Sequence, residues 1–204
     1  MRRSQKDNCT PGHAAARSEN RAAAVTGTSR LIQKRAVLRF VLILAGLTGL
    51  FNALFYIWLS HSSFFLTYLS WNAGCSAFLL RLFGESASSN GTSLSTPRFF
   101  LEIKQGCDAL QPIAFFVFLI LSSPVTVLIR SRIVPIVIGT LGLLLLNLVR
   151  IITLYYAGIL FPSAFEILHI DVWQAVFIFL PLLMWIAWAQ RVSRKAPTKL
   201  HANP

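Results

Sequence analysis

Three residues of this chain, Cys107, Arg150 and His169, have side chains that could do chemistry together. A thiol, a guanidinium and an imidazole are the groups that thiol acyl transfer needs. Cys107 stands just before an apolar run and so would open a helix, where unpaired backbone N–H groups and the helix dipole favour a thiolate. His169 could take the thiol proton and return it to a leaving group. Arg150, charged at any physiological pH, could stabilise the thiolate or the oxyanion of a tetrahedral intermediate. Asn147, Glu166 and Asp108 are supporting candidates. Asn147 lies one turn before Arg150 on the same helical face and could orient it, and Glu166 precedes His169 by three residues and could fix its tautomer. Asp108 adjoins the cysteine. Each residue also has a plainer reading. A lone cysteine in a membrane helix is a small hydrophobe, an arginine near a helix end snorkels to headgroups, and a histidine at a span boundary is an interfacial residue. Asn147 and Glu166 read equally well as an interhelical hydrogen bond and a helix-start acid.

The composition says what must position these groups. Of 204 residues 55% are hydrophobic and only 13% charged, against about 25% charged in a soluble domain. Residues 40–80, 109–129, 133–149 and 172–190 contain no Asp, Glu, Lys or Arg. Roughly 20 apolar helical residues cross a bilayer core about 30 Å thick, so the chain reads as an all-α polytopic membrane protein. Its net charge of +12 would suggest nucleic acid in a soluble chain. Here the basic residues flank apolar segments, as in cytoplasmic loops, and no nucleic-acid partner is expected. Residues 1–35 read as a disordered basic cytoplasmic arm, 36–191 as the membrane-embedded domain and 192–204 as a basic cytoplasmic tail. The Arg-rich, acid-poor arm also resembles an organellar transit peptide. Segment 40–59 is longer than a signal-peptide core and is expected to remain as an anchor.

Sidedness follows from charge. With the amino terminus inside, the open question is whether 60–83 crosses back. If it does, there are five spans, and Arg130, Arg132 and the basic tail lie outside. If it stays on the outer face, four spans remain, and only Arg81, Arg98 and Lys104 lie outside. The positive-inside rule favours four. Ser60, Ser63, Thr67, Ser70 and Gly74 recur at three- and four-residue steps, a polar stripe expected of a helix lying in the interface. A second span packed through small residues is the alternative. Residues 84–97 read as a loop, with turn chemistry at Asn90-Gly91-Thr92, and 98–104 as a short strand, together a small outer hairpin. Arg150 lies about 27 Å along a helix from Arg132, Cys107 about 34 Å from Arg130, and His169 about 33 Å from Arg191. All three should therefore sit near the outer boundary.

In this setting GCDALQP at 106–112, NLVRIITLYYAG at 147–158 and FEILHIDVWQAVFIF at 165–179 resemble the exosortase/archaeosortase family. The likeness covers roughly residues 38–190. The short chain and the His-x-x-x-Trp-Gln-Ala sequence are most similar to the exosortase H subgroup. Ala109 departs from the pattern, since many members have Gly two residues after the cysteine. The resemblance implies a cysteine transpeptidase or peptidase of the bacterial cytoplasmic (inner) membrane, with its site facing the periplasm. Its partners would be secreted proteins ending in a short motif, a transmembrane helix and a basic tail, together with an acceptor nucleophile. Cys107 would be the nucleophile, Arg150 the cation and His169 the proton shuttle. No cofactor or metal enters the reaction so implied. The substrate's own span would hold the scissile bond at the depth of the site.

Three rivals predict different behaviour. A thiol–disulfide membrane protein needs exchanging thiol pairs, and this chain has single cysteines at Cys9, Cys75 and Cys107, with a Cys75–Cys107 bridge possible on the outer face. A metal enzyme finds half of a carboxylate-bridged site in Glu166-x-x-His169 and lacks the second half, with His13 and His201 in the tails. A non-catalytic membrane scaffold predicts that Cys107→Ala leaves function intact.

Overall fold

The computed structural model describes residues 11–104, 106, 108–125 and 128–195. These form two compact units, 1–42 and 43–204, and every residue of the candidate site belongs to the second. Helix α1 runs Pro11–Ile57. Residues 11–35, expected to be disordered, are therefore helical. Ala14–Ala16 and Ala22–Ala24 are the best helix formers, and extending an existing helix needs no new nucleus. Past Ile57 the chain turns a tight corner. Ser62 Oγ donates to the Leu59 carbonyl (2.7 Å) and accepts from the Phe65 N–H (3.2 Å), capping helix α2, Ser63–Leu82.

One face of α2 is buried through Phe65, Leu69, Ala73, Ala77 and Leu80, with Asn72 and Ser76 among them. Phe64, Trp71 and Phe78 form an exposed apolar edge. Ser63, Thr67, Ser70 and Gly74 of the expected stripe lie between the two, Gly74 coming up to Ser89, while Ser60 falls in the turn Leu59–His61 before the helix. The outer segment is a three-stranded antiparallel sheet in chain order, β1 (Ser88–Asn90), β2 (Ser93–Ser95) and β3 (Phe100–Glu102). Its first turn falls on Asn90-Gly91-Thr92, where Gly91 takes φ 57°. The region read as a loop thus supplies two of three strands. Leu94, Ala87 and Ile103 join α2, Phe55, Ile151 and Tyr155 in one apolar cluster.

Helix α3, Leu110–Ser122, is shorter than the 109–129 span expected. Pro124 disfavours helical backbone in the residue before it, and Ser122 Oγ bonds back to the Phe118 carbonyl at 2.6 Å. Thirteen residues reach only about 20 Å, so the 34 Å helical path from Arg130 to Cys107 does not exist. The exposed end is closed by Arg132, which donates to the carbonyls of Ile120, Leu121, Ser123 and Val125 at 2.7–3.2 Å. Helix α4, Arg130–Leu160, packs on α3 so closely that a Cβ on Gly139 would stand 2.1 Å from the Phe116 ring. A turn at Pro162–Ala164, the short helix α5 (Phe165–Ile167) and a π-helical turn (Leu168–Val172) lead into α6, Trp173–Lys195. Phe116, Ile120, Leu143, Leu154, Trp173 and Phe177 hold α3, α4 and α6 in a second apolar cluster.

The described chain is mostly helical. Gln33–His61, Arg130–Leu160 and Pro162–Arg194 are long and apolar enough to cross a membrane, and Leu110–Ser122 is a shorter apolar helix.

Candidate active site

Arg150 is the centre of the site. It lies on α4, 7% exposed, and a buried charge is costly unless its hydrogen bonds are met. One guanidinium nitrogen donates to the Gly106 carbonyl at 3.1 Å and the other to the His169 carbonyl at 3.4 Å. The Phe177 ring of α6 lies 5.4 Å from the guanidinium carbon, within cation–π range. One side chain thereby ties the turn before α3, the π-helical turn and α6 to α4. The imidazole of His169 stands against Phe165, ring centres 5.7 Å apart.

Cys107 lies outside the described residues. Its neighbours Gly106 and Asp108 both line a cavity of about 350 Å³. Asp108 is 1% exposed. Its carboxylate accepts from the N–H groups of Gly106 (3.2 Å) and Leu110 (2.9 Å), and its carbonyl accepts from the Tyr68 hydroxyl of α2. Burial raises the Asp108 carboxyl above the ordinary aspartate value; the two N–H bonds and the Arg150 charge oppose that shift. Ala109 takes the left-handed conformation, φ 61° and ψ 0°, the one non-glycine residue with positive φ among those described. An L side chain costs about 1–2 kcal/mol there.

The structure brings Arg150, His169 and the Asp108 turn together, and leaves two supporting candidates elsewhere. Asn147, fully buried, donates to Asn72 Oδ1 on α2 at 3.2 Å. It links helices and does not bond Arg150; adjacency on one helix face does not decide which neighbouring helix a side chain meets. Glu166 is exposed and makes no hydrogen bond or ion pair among the described residues, so it does not fix the His169 tautomer. Cys75 carries a free, exposed thiol; Cys107, its partner in the bridge open to the redox rival, lies outside the described residues. Among the described residues no cluster of three His, Cys, Asp or Glu could hold a metal.

Several site residues were missed by reading types and spacing. Asn52 and Thr48 of α1, Gln111 of α3 and Gln174 and Phe177 of α6 line the same cavity. Gln111 Nε2 donates to Asn52 Oδ1 and to the Tyr56 hydroxyl, both at 3.2 Å, and Asn52 donates to the Thr48 carbonyl at 2.8 Å. Carboxamides inside apolar segments were the available signal. No family model, curated protein or solved structure matches this chain.

Proposed function

We propose that this protein is a membrane cysteine transpeptidase or peptidase of exosortase type, removing carboxy-terminal sorting signals from secreted proteins. The observation that carries the reading is the buried Arg150 guanidinium, whose two donors meet the backbone of the residue before Cys107 and the backbone of His169. A guanidinium at this point is already desolvated and oriented, which is what makes a fixed cation effective on a developing oxyanion. The left-handed backbone at Ala109, where many members of that family have Gly, supports it further.

In this reading the Cys107 sulfur attacks the carbonyl carbon of a peptide bond and His169 accepts the thiol proton. Arg150 bears the charge of the tetrahedral intermediate. The C–N bond then breaks, His169 returns the proton to the departing amine, and the signal helix leaves. An acceptor amine or water cleaves the thioester and regenerates the thiol. The four-span arrangement belongs to the same proposal. The crossing through α3 is completed by the residues after Ser122, of which Arg132 satisfies the Ser123 and Val125 carbonyls, as backbone at membrane depth requires. Helix α2 then lies on the periplasmic face of an inner membrane.

The test is co-expression of the full chain with a tagged secreted protein ending in a short motif, an apolar stretch and a basic tail. Cys107→Ala is expected to leave the signal attached. Normal processing by that variant would remove the reading and favour a scaffold.

A further inference from the structure

We infer that the cavity beside Arg150 binds an extended, uncharged peptide segment, hydrogen-bonded through its main chain to Thr48, Gln111 and Gln174. The inference rests on the reading above for the identity of the peptide, the residues leading into the sorting signal's apolar stretch.

The charges of the cavity are already engaged. Asp108 is held by two backbone N–H groups and Arg150 by two carbonyls. The rest of the wall is neutral, with Pro112, Phe115, Phe177 and Ile178 supplying apolar surface. Into this space come polar groups with spare capacity. The Thr48 hydroxyl is buried and has no partner among the described residues. Both donors of the Gln111 amide are used on α1, and no hydrogen bond reaches its carbonyl oxygen from the described residues. The Gln174 amide likewise makes no hydrogen bond there.

Such a wall selects among occupants. An acyl chain would leave the Thr48 hydroxyl and the Gln111 carbonyl oxygen unpaired in apolar surroundings, at a cost for each. A phosphate would add a second anion beside Asp108, with Arg150 as the sole cation of the lining among the described residues. An extended peptide presents one donor and one acceptor per residue at about 3.3 Å rise, which matches acceptor, hydroxyl and amide placed around one space. A volume of about 350 Å³ is within the range of ligand pockets, roughly 300–1,000 Å³. The peptide would end at Arg150, where its scissile carbonyl meets the cation. Thr48, Gln111 and Gln174 are therefore positioning residues for the substrate.

Disulfide cross-linking tests this without relying on turnover. The full chain, in membranes and carrying Cys9→Ser, Cys75→Ser and Cys107→Ala, receives one cysteine as Thr48→Cys, Gln111→Cys or, as a control, Leu145→Cys, which is 64% exposed on α4. The partner is the tagged tailed protein with a single cysteine walked through the residues before its apolar stretch. Cross-links are expected from Thr48→Cys and Gln111→Cys to those residues, favouring alternate positions, and none from Leu145→Cys. Absence of cross-links, equal cross-linking from Leu145→Cys, or cross-links confined to the apolar stretch would overturn the inference. In a second arm, with Cys107 present, Gln111→Leu and Gln174→Leu should raise KM about tenfold each and leave kcat within about twofold. Unchanged KM in both would also overturn it. If Cys107→Ala still processes the substrate, the transpeptidase reading fails; cross-links from Thr48→Cys and Gln111→Cys would then still establish the peptide site.

Discussion

Replacing Arg150 by Lys keeps the charge and removes the fork. The guanidinium spans two carbonyls at 3.1 and 3.4 Å and lies 5.4 Å from the Phe177 ring centre. An ammonium is a compact point charge and cannot hold both carbonyls and the ring face from one position. A hydrogen bond from a charged donor is worth about 1.5–3 kcal/mol, and the longer of the two stands at the low end. Loss of that bond with part of a cation–π contact of about 0.5–1 kcal/mol comes to roughly 2–3 kcal/mol. That corresponds to a slowing of about 30- to 150-fold if the loss falls on the transition state. The assay is the rate of signal removal from the tailed secreted protein, normalised to the amount of each variant in the membrane. Arg150→Lys should fall in that range, and Arg150→Ala should be slower still. Processing by Arg150→Lys within twofold of the natural chain would refute the view that two-point anchoring of the guanidinium matters.

Three further outcomes follow from the geometry. Ala109→Gly should leave the melting temperature of the detergent-solubilised protein unchanged or higher, because relief of the left-handed backbone offsets the usual loss of about 1 kcal/mol for glycine; Ala109→Val should lower it. Gly139→Ala should cost about 1–3 kcal/mol in denaturant unfolding, since the added Cβ would meet the buried Phe116 ring at 2.1 and 2.5 Å. Unchanged stability there would mean that α3 and α4 are not in close contact. The raised Asp108 carboxyl gives a pH dependence of known sign. Folding takes up a proton between the ordinary aspartate value and the raised one, so this group's contribution to stability falls as pH rises through that window and is level above it. Asp108→Asn should abolish the fall, and an identical pH profile in the two proteins would show that Asp108 is not buried as described.

The helical, membrane-compatible character of the chain was legible in its sequence because apolar runs of spanning length admit few other folds. The turn at Asn90-Gly91-Thr92 and the strand near 98–104 were legible from local chemistry, since Gly and Asn act on their own neighbours in the chain; the corner at 58–62 was not, because Ser60 and Ser63 read as one helical stripe. The short α3 was not legible from hydropathy, although Ser122-Ser123-Pro124 held the signal. A hydropathy reading weighs residues by polarity and does not count which carbonyls lose their donors. Arg132 was read only as a topogenic charge, and its role in closing the end of α3 depends on a partner about ten residues away.

The candidate site divides along the same line. Cys107, Arg150 and His169 stand out by type, because an ionisable or nucleophilic group in an apolar segment needs a reason to be there. What type and spacing cannot supply is the neighbour on another helix. Asn147 sits on the Arg150 face of α4 and yet its amide meets Asn72. Glu166 precedes His169 by three residues and yet makes no hydrogen bond or ion pair among the described residues. Gln111 meets Asn52 across 59 positions of sequence. Hydrophobicity and local turn chemistry act along the chain and so can be read from it; the direction in which a buried donor finds its acceptor is set by how helices pack, and only the tertiary structure decides that.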